Sequence, residues 1–182
     1  LKSEMFVILN VANLIPYKGH KDLLESFALV KKEIPHAVLL IAGGDRGIGS
    51  MLRNKARDLE VDDSVRWLGL RDDVPQLLSL ADVFVCSSHE EGFSNAVMEA
   101  MAAGVAVVAT DVGGNREMLE NGRLGVLVPA RSPEAMAQAI VRLARDPRLR
   151  EDLGRNAAAT VQEKYTPEAM TDAYLRLYRS LL

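Results

Sequence analysis

The stretch that decides the fold is Asp82–Thr110, DVFVCSSHEEGFSNAVMEAMAAGVAVVAT. Two short apolar runs, Asp82–Ser87 (DVFVCS) and Val105–Thr110 (VAVVAT), flank a helix-like segment. Neither run alternates polar with apolar residues, so both faces of the sheet they build must be covered. A buried strand, a helix and a second buried strand in succession make a right-handed parallel crossover. Within it, His89–Gly104 (HEEGFSNAVMEAMAAG) sets Glu91 and Glu99 eight positions apart, astride a Gly-Phe-Ser-Asn turn. Ser94 or Asn95 is a natural N-cap, and Gly104 a natural C-terminal stop. Glu99 shares its helix face with Asn95, Ala96, Ala102 and Ala103, nearly all small, which leaves it open to approach. Val97, Ala100, Met101 and Gly104 form the opposite face, expected against the sheet.

The same unit recurs on both sides. Met5–Ala12 is a continuous apolar run that ends in Asn13-Leu14-Ile15-Pro16-Tyr17-Lys18-Gly19. A helix is expected over Gly19–Glu33, with Leu23, Leu24, Phe27 and Val30 on one face and Pro35 as its stop. Ala37–Ala42 (AVLLIA) is a second buried strand, followed by the glycine-rich turn Gly43–Gly47 and a helix near Ser50–Leu59. Val65–Leu68 is a short third strand and Asp72–Leu80 a short helix. Downstream, Gly113–Glu120 reads as a helix and Gly125–Val128 as the last strand. Pro133–Ala144, Arg148–Lys164 and Pro167–Leu182 read as closing helices. The expected fold class is α/β, a doubly wound parallel sheet of about six strands, Rossmann-like. Residues 1–182 form one domain, without internal repeat, low-complexity tract or linker.

Composition agrees with a single packed domain: 182 residues, 48% hydrophobic and 5% aromatic. The formal net charge of −3 gives no basic excess, so nucleic acid is not an expected partner. A lone cysteine, Cys86, permits no internal disulfide and fits a reducing compartment; in an apolar strand it reads as core. No apolar run approaches the ~18–20 residues that span a bilayer. The expected location is cytoplasmic, with peripheral attachment at the inner membrane face left open.

In a doubly wound sheet, ligands sit beyond the carboxyl ends of the strands, where this motif falls. Bare N–H groups at a helix start, with their partial positive charge, suit phosphate oxygens. Glu91 and Glu99 have the wrong sign for phosphate and the right lone pairs for sugar or ribose hydroxyls. Lys18, at the end of the first strand, can reach the same crevice as a point charge, with Gly19 turning the chain into the next helix. Three further loops could contribute: Val112–Asn115, Gly43–Gly47 and Gly69-Leu70-Arg71. The second contains neither a dinucleotide fingerprint nor a P-loop. His20, His36 and His89 are too scattered for a metal cluster; His89, beside the motif, reads as solvated loop. Asp62-Asp63 and Asp72-Asp73 read as turn and N-cap chemistry. No metal or cofactor site is expected.

Read together, NVANLIPYKGHKDLLESF, AVLLIAGG, VRWLGLRDDVPQLLSLADVFVCSS, EGFSNAVMEAMAAGVAVVATDVGGNREML and NGRLGVLVP make the chain resemble a known family over nearly its whole length. It resembles the C-terminal, donor-binding domain of group 1 (family 4) glycosyltransferases of the GT-B fold, with Glu91 to Glu99 as its paired-glutamate element. The resemblance implies sugar transfer from a nucleoside-diphosphate sugar with retained anomeric configuration and no metal. UDP is the favoured nucleotide, with GDP and ADP as alternatives. It places Glu99 on the ribose, Glu91 on the donor sugar and Lys18 on the leaving diphosphate, with Gly92, Phe93, Ser94 and Asn95 offering backbone groups. The loop at Leu70 and Arg71 would hold the base. Many relatives carry arginine where Asn13 stands, so Asn13 brings a hydrogen bond to the phosphate side but no charge. An N-terminal acceptor domain would be the missing partner, and this chain alone would bind donor without turnover. The apolar stripe Met170, Tyr174, Leu177, Tyr178 and Leu181 would then self-associate. A non-catalytic nucleotide-binding module and an epimerase of the same fold remain open alternatives, as does an interaction domain whose glutamates are only surface. A phosphorylase lacks a convincing pyridoxal-binding lysine.

Overall fold

The computed structural model describes residues 5–181; the expected last residue of the final helix, Leu182, lies outside the described residues. Six strands alternate with helices. They are β1 (Phe6–Val11), α1 (His20–Glu33), β2 (Ala37–Ala42), α2 (Gly49–Asp58), β3 (Val65–Gly69), α3 (Val74–Leu80) and β4 (Val83–Cys86). α4 (Asn95–Ala102), β5 (Ala106–Thr110), α5 (Asn115–Met118), β6 (Val126–Val128), α6 (Pro133–Arg145), α7 (Pro147–Lys164) and α8 (Pro167–Ser180) complete the order. All pairings are parallel, in the order β3-β2-β1-β4-β5-β6. The chain winds outward from β1 to β3, then restarts at β4 and winds the other way. The switch point lies between β1 and β4, where a doubly wound sheet opens a crevice beyond its strand ends.

The local signals act as expected. β2 is buried along its whole length, because helices cover both of its faces. Leu23, Leu24, Phe27 and Val30 of α1 are fully buried. They share one apolar cluster with β1, β2 and α6, and a second cluster on the other face of the sheet joins α3, α4 and α7. Prolines open α6, α7 and α8, where a missing N–H costs nothing. Asp146 and Thr166 cap the last two by accepting from Leu149 N–H and Ala169 N–H.

Two expected helix extents change. The helix foreseen over 113–120 shrinks to the single turn α5, because Glu120 and Asn121 adopt left-handed backbone at φ 46° and 56°. α3 starts at Val74 rather than Asp72. Asp73 stands at its N-cap position but directs its carboxylate to Arg71 instead. α8 buries no residue at all. No helix among the described residues is long and apolar enough to cross a membrane.

Candidate functional site

The loops after β1 and β4 enclose a crevice of about 280 Å³ at the switch point. Asn13, Lys18, Glu91, Phe93, Ser94 and Asn95 line it, with Asn10, Cys86 and Ser88 on its floor. Lys18 Nζ lies 2.5 Å from Glu91 Oε1, and the two side chains are 20% and 11% exposed. Residues 73 positions apart thus meet as a half-sheltered ion pair facing the crevice. Ser88 Oγ donates to the same carboxylate oxygen at 2.8 Å, and the Cys86 thiol lies 3.8 Å from it. Burial pushes the Cys86 thiol above its usual range, so it stays protonated beside the carboxylate. Cys86 is therefore core, as expected, and also crevice floor.

The two loops are tied along their length. Ser87 Oγ donates to Lys18 C=O at 2.8 Å, and His89 N–H to Tyr17 C=O at 2.7 Å. Gly19, at φ 68°, brings α1 so close that a Cβ there would lie 1.9 Å from Ser87 O. His89 is not solvated loop: its Nε2 is 2.7 Å from Asp22 Oδ2, with both side chains 18% exposed. Beneath this tie His20 is buried with neither ring nitrogen hydrogen-bonded. Desolvation holds its pKa at about 4, so it is neutral at pH 7.

Ser94 caps α4 as foreseen, accepting from Val97 N–H. Among the described residues, Asn95 and Ala96 N–H have no partner within the chain, and both residues line the crevice. Phe93 is 43% exposed and packs on Tyr165, with ring centroids 5.7 Å apart. The pair links the glutamate loop to the end of α7.

The Val112–Asn115 loop does not reach the crevice; it braces the glutamate loop. Gly114 N–H donates to Gly92 C=O at 2.7 Å. Gly113 has φ 49°, and a Cβ there would sit 1.7 Å from Glu91 O. The other loops take distinct places. Asn13 Oδ1 accepts from Gly44 N–H at 3.0 Å, so its oxygen is used on the neighbouring loop. In Gly43–Gly47, Asp45 accepts from Gly47 and Gly49 N–H and starts α2, which lowers its carboxyl pKa. Arg71 is held by Asp73 at 2.5 Å, leaving Leu70, 81% exposed, as that loop's free side chain.

Glu99 opens on a separate depression between α3 and α4, with Asp72, Val74, Pro75 and Leu78 on one wall and Ala102 and Ala103 on the other. Its small neighbours keep it accessible, as foreseen. Glu91 and Glu99 therefore serve different compartments: one is paired at the crevice mouth, the other exposed one helical turn in. A larger groove, about 610 Å³, lies on the outer surface of α1 and α6 and holds none of these residues. Among the described residues no group of three metal-ligating side chains occurs.

Sequence reasoning missed Ser88 and Thr110, and named Asn115 only as a member of the Val112–Asn115 loop. Thr110 Oγ1 donates to Ser88 C=O at 2.6 Å, and Asn115 Nδ2 to Thr110 C=O at 3.0 Å. The signal for Ser88 and Thr110 was available: polar residues just past β4 and at the end of β5, where an apolar core has no use for them.

A parallel doubly wound sheet with charged loops closing on its switch point defines a Rossmann-like α/β domain. The model of the family "Glycosyl transferases group 1" matches residues 1–160, and the chain belongs to that family. It is 33% identical over 174 residues to the lipopolysaccharide core biosynthesis glycosyltransferase LpsE of Rhizobium meliloti, covering 96% of this chain and 50% of the relative. It is 28% identical to N-acetyl-alpha-D-glucosaminyl L-malate synthase of Bacillus anthracis, covering 97% of this chain and 46% of that protein. Among solved structures, sucrose-phosphate synthase from Thermosynechococcus elongatus superposes with a TM-score of 0.88 at 31% identity, over 100% of this chain and 46% of that one. Anabaena HepE in complex with UDP gives 0.89 at 26% identity, over 98% and 50%. The chain spans about half the length of the curated relatives it matches.

Proposed function

We propose that this chain is the donor-binding half of a two-domain glycosyltransferase that moves a sugar from a nucleoside-diphosphate sugar to an acceptor. The observation that carries the reading is the Lys18–Glu91 pair at the switch-point crevice, beside the unpartnered N–H groups that open α4. In this reading the diphosphate draws Lys18 to itself and rests against the start of α4, where dipole and charge stabilise the departing oxygens. Glu91, relieved of Lys18, accepts from donor-sugar hydroxyls. These two are the catalytic residues. Glu99 accepts from the ribose in the adjoining depression, and the Leu70–Arg71 loop meets the base. Asn13, Gly19 and Gly92–Asn95 complete the donor contacts.

Transfer proceeds through an oxocarbenium-like state with retention and without a metal, as the family resemblance implies. UDP is the favoured nucleotide, supported by the UDP held in the Anabaena relative. The acceptor site belongs to an N-terminal domain, so these 182 residues bind donor without turnover. α8 presents Met170, Tyr174, Leu177, Tyr178 and Leu181 to solvent; that domain would cover them, and without it the chain self-associates.

Calorimetry on the 182-residue chain tests the reading. Lys18→Ala and Glu99→Ala should each weaken nucleotide binding, Lys18→Ala by about 10- to 100-fold, the range of a charge-assisted contact. Affinity for both UDP and GDP unchanged in the two variants would refute it.

A further inference from the structure

We infer that Ser88 is a positioning residue that lets Glu91 surrender Lys18 to an incoming diphosphate. The inference rests on the nucleoside-diphosphate reading above. Lys18 and Glu91 satisfy each other, so binding an anion through Lys18 must first break that pair. Glu91 is only 11% exposed. A carboxylate so sheltered is costly to strand without a partner. Once Lys18 leaves, the side-chain donors left near Oε1 are Ser88 Oγ at 2.8 Å and the Cys86 thiol at 3.8 Å. A thiol is a weak donor, so the hydroxyl bears most of the compensation.

The hydroxyl is built to stay. Ser88 is 2% exposed and Thr110 and Asn115 fully buried. Thr110 Oγ1 fixes the Ser88 carbonyl, and Asn115 Nδ2 fixes that of Thr110. Ser88 thus sits on the sheet rather than on a free loop, and it keeps the carboxylate in place while the ammonium moves. Without it, Glu91 follows Lys18 or holds it back, and the crevice stays internally neutralised.

The test is calorimetric binding of UDP, GDP and ADP to the 182-residue chain, scored on the tightest of the three. Ser88→Ala should weaken binding about tenfold, and Ser88→Thr should restore most of it. The deciding comparison is in a Glu91→Gln background. With no carboxylate to compensate, adding Ser88→Ala should change affinity less than about twofold, as a double-mutant cycle requires of a residue acting through Glu91. A merely structural serine would cost the same in both backgrounds, and that result overturns the inference. So does unchanged affinity in Ser88→Ala. If the alanine variant does not fold, Thr110→Ser against Thr110→Val reads the same support one bond removed, with restoration expected for serine and equal loss for both overturning it. Absence of binding by the parent chain overturns the nucleotide reading and this role together; binding by the parent with no effect at Ser88 overturns this role alone.

Discussion

The loops over the β1–β4 crevice and the helix α8 are opposites. In the loops hydrogen bonds tie one connection to the other, and backbone approaches backbone more closely than a methyl group allows. In α8 no residue is buried, and an apolar stripe with two stacked tyrosines, Tyr174 and Tyr178, faces solvent. One region is finished by its own sheet; the other leaves its apolar face uncovered. The contrast separates a pre-formed crevice from a helix that adds nothing to the core.

Four changes probe that contrast. The largest effect is expected at Gly113, where a side chain meets the Glu91 carbonyl. Gly113→Ala should cost about 2–4 kcal/mol of stability and abolish nucleotide binding. The same substitution at Gly122, with φ 95° and nothing within 4 Å, should cost about 1 kcal/mol and leave binding intact. Denaturant melts with parallel calorimetry check both. Equal losses would erase the distinction between a close approach and mere backbone preference.

Next comes His20, buried under the same loops. Its folded pKa of about 4 lies below the ordinary 6.5, so between these values the unfolded chain binds the extra proton. Stability therefore rises with pH across that window and falls as pH drops from 6.5 towards 4. The contribution lost is at most about 3 kcal/mol. Thermal melts from pH 7 to 4 should show this slope, flattened in His20→Phe. An equally steep slope in the variant would place the acid sensitivity elsewhere.

The smallest effect belongs to α8. Removing residues 167–182 should change stability by less than about 1 kcal/mol, because nothing on α8 is buried. Sedimentation should show the truncated chain monomeric where the parent associates. A large stability loss would mean that α8 is part of the core.

These differences track what the sequence could reveal. Every strand was legible, since continuous apolar runs such as AVLLIA admit few other readings. So was the cap at Ser94, a local interaction over three residues. The helix over 113–120 misled because glutamate rarely turns left-handed, as Glu120 does; the Asn121-Gly122 pair marks the turn only from the residue after it. The site was half legible. Lys18, Glu91 and Glu99 stood out by type and place, yet the Lys18–Glu91 and His89–Asp22 contacts join residues 73 and 67 positions apart. No local pattern encodes such meetings; they follow once the strand order places β1 beside β4. Ser88 passed unnoticed because its role arises only from that meeting.

The wholly parallel sheet has one more consequence. Every strand points the same way, so all the loops with candidate roles crowd one rim, and the opposite rim holds only return turns. Glu60, in the turn between α2 and β3, lies on that back rim and adopts left-handed backbone at φ 57°. A fluorophore or affinity tag attached there would report on the domain, or immobilise it, while leaving the binding rim unobstructed.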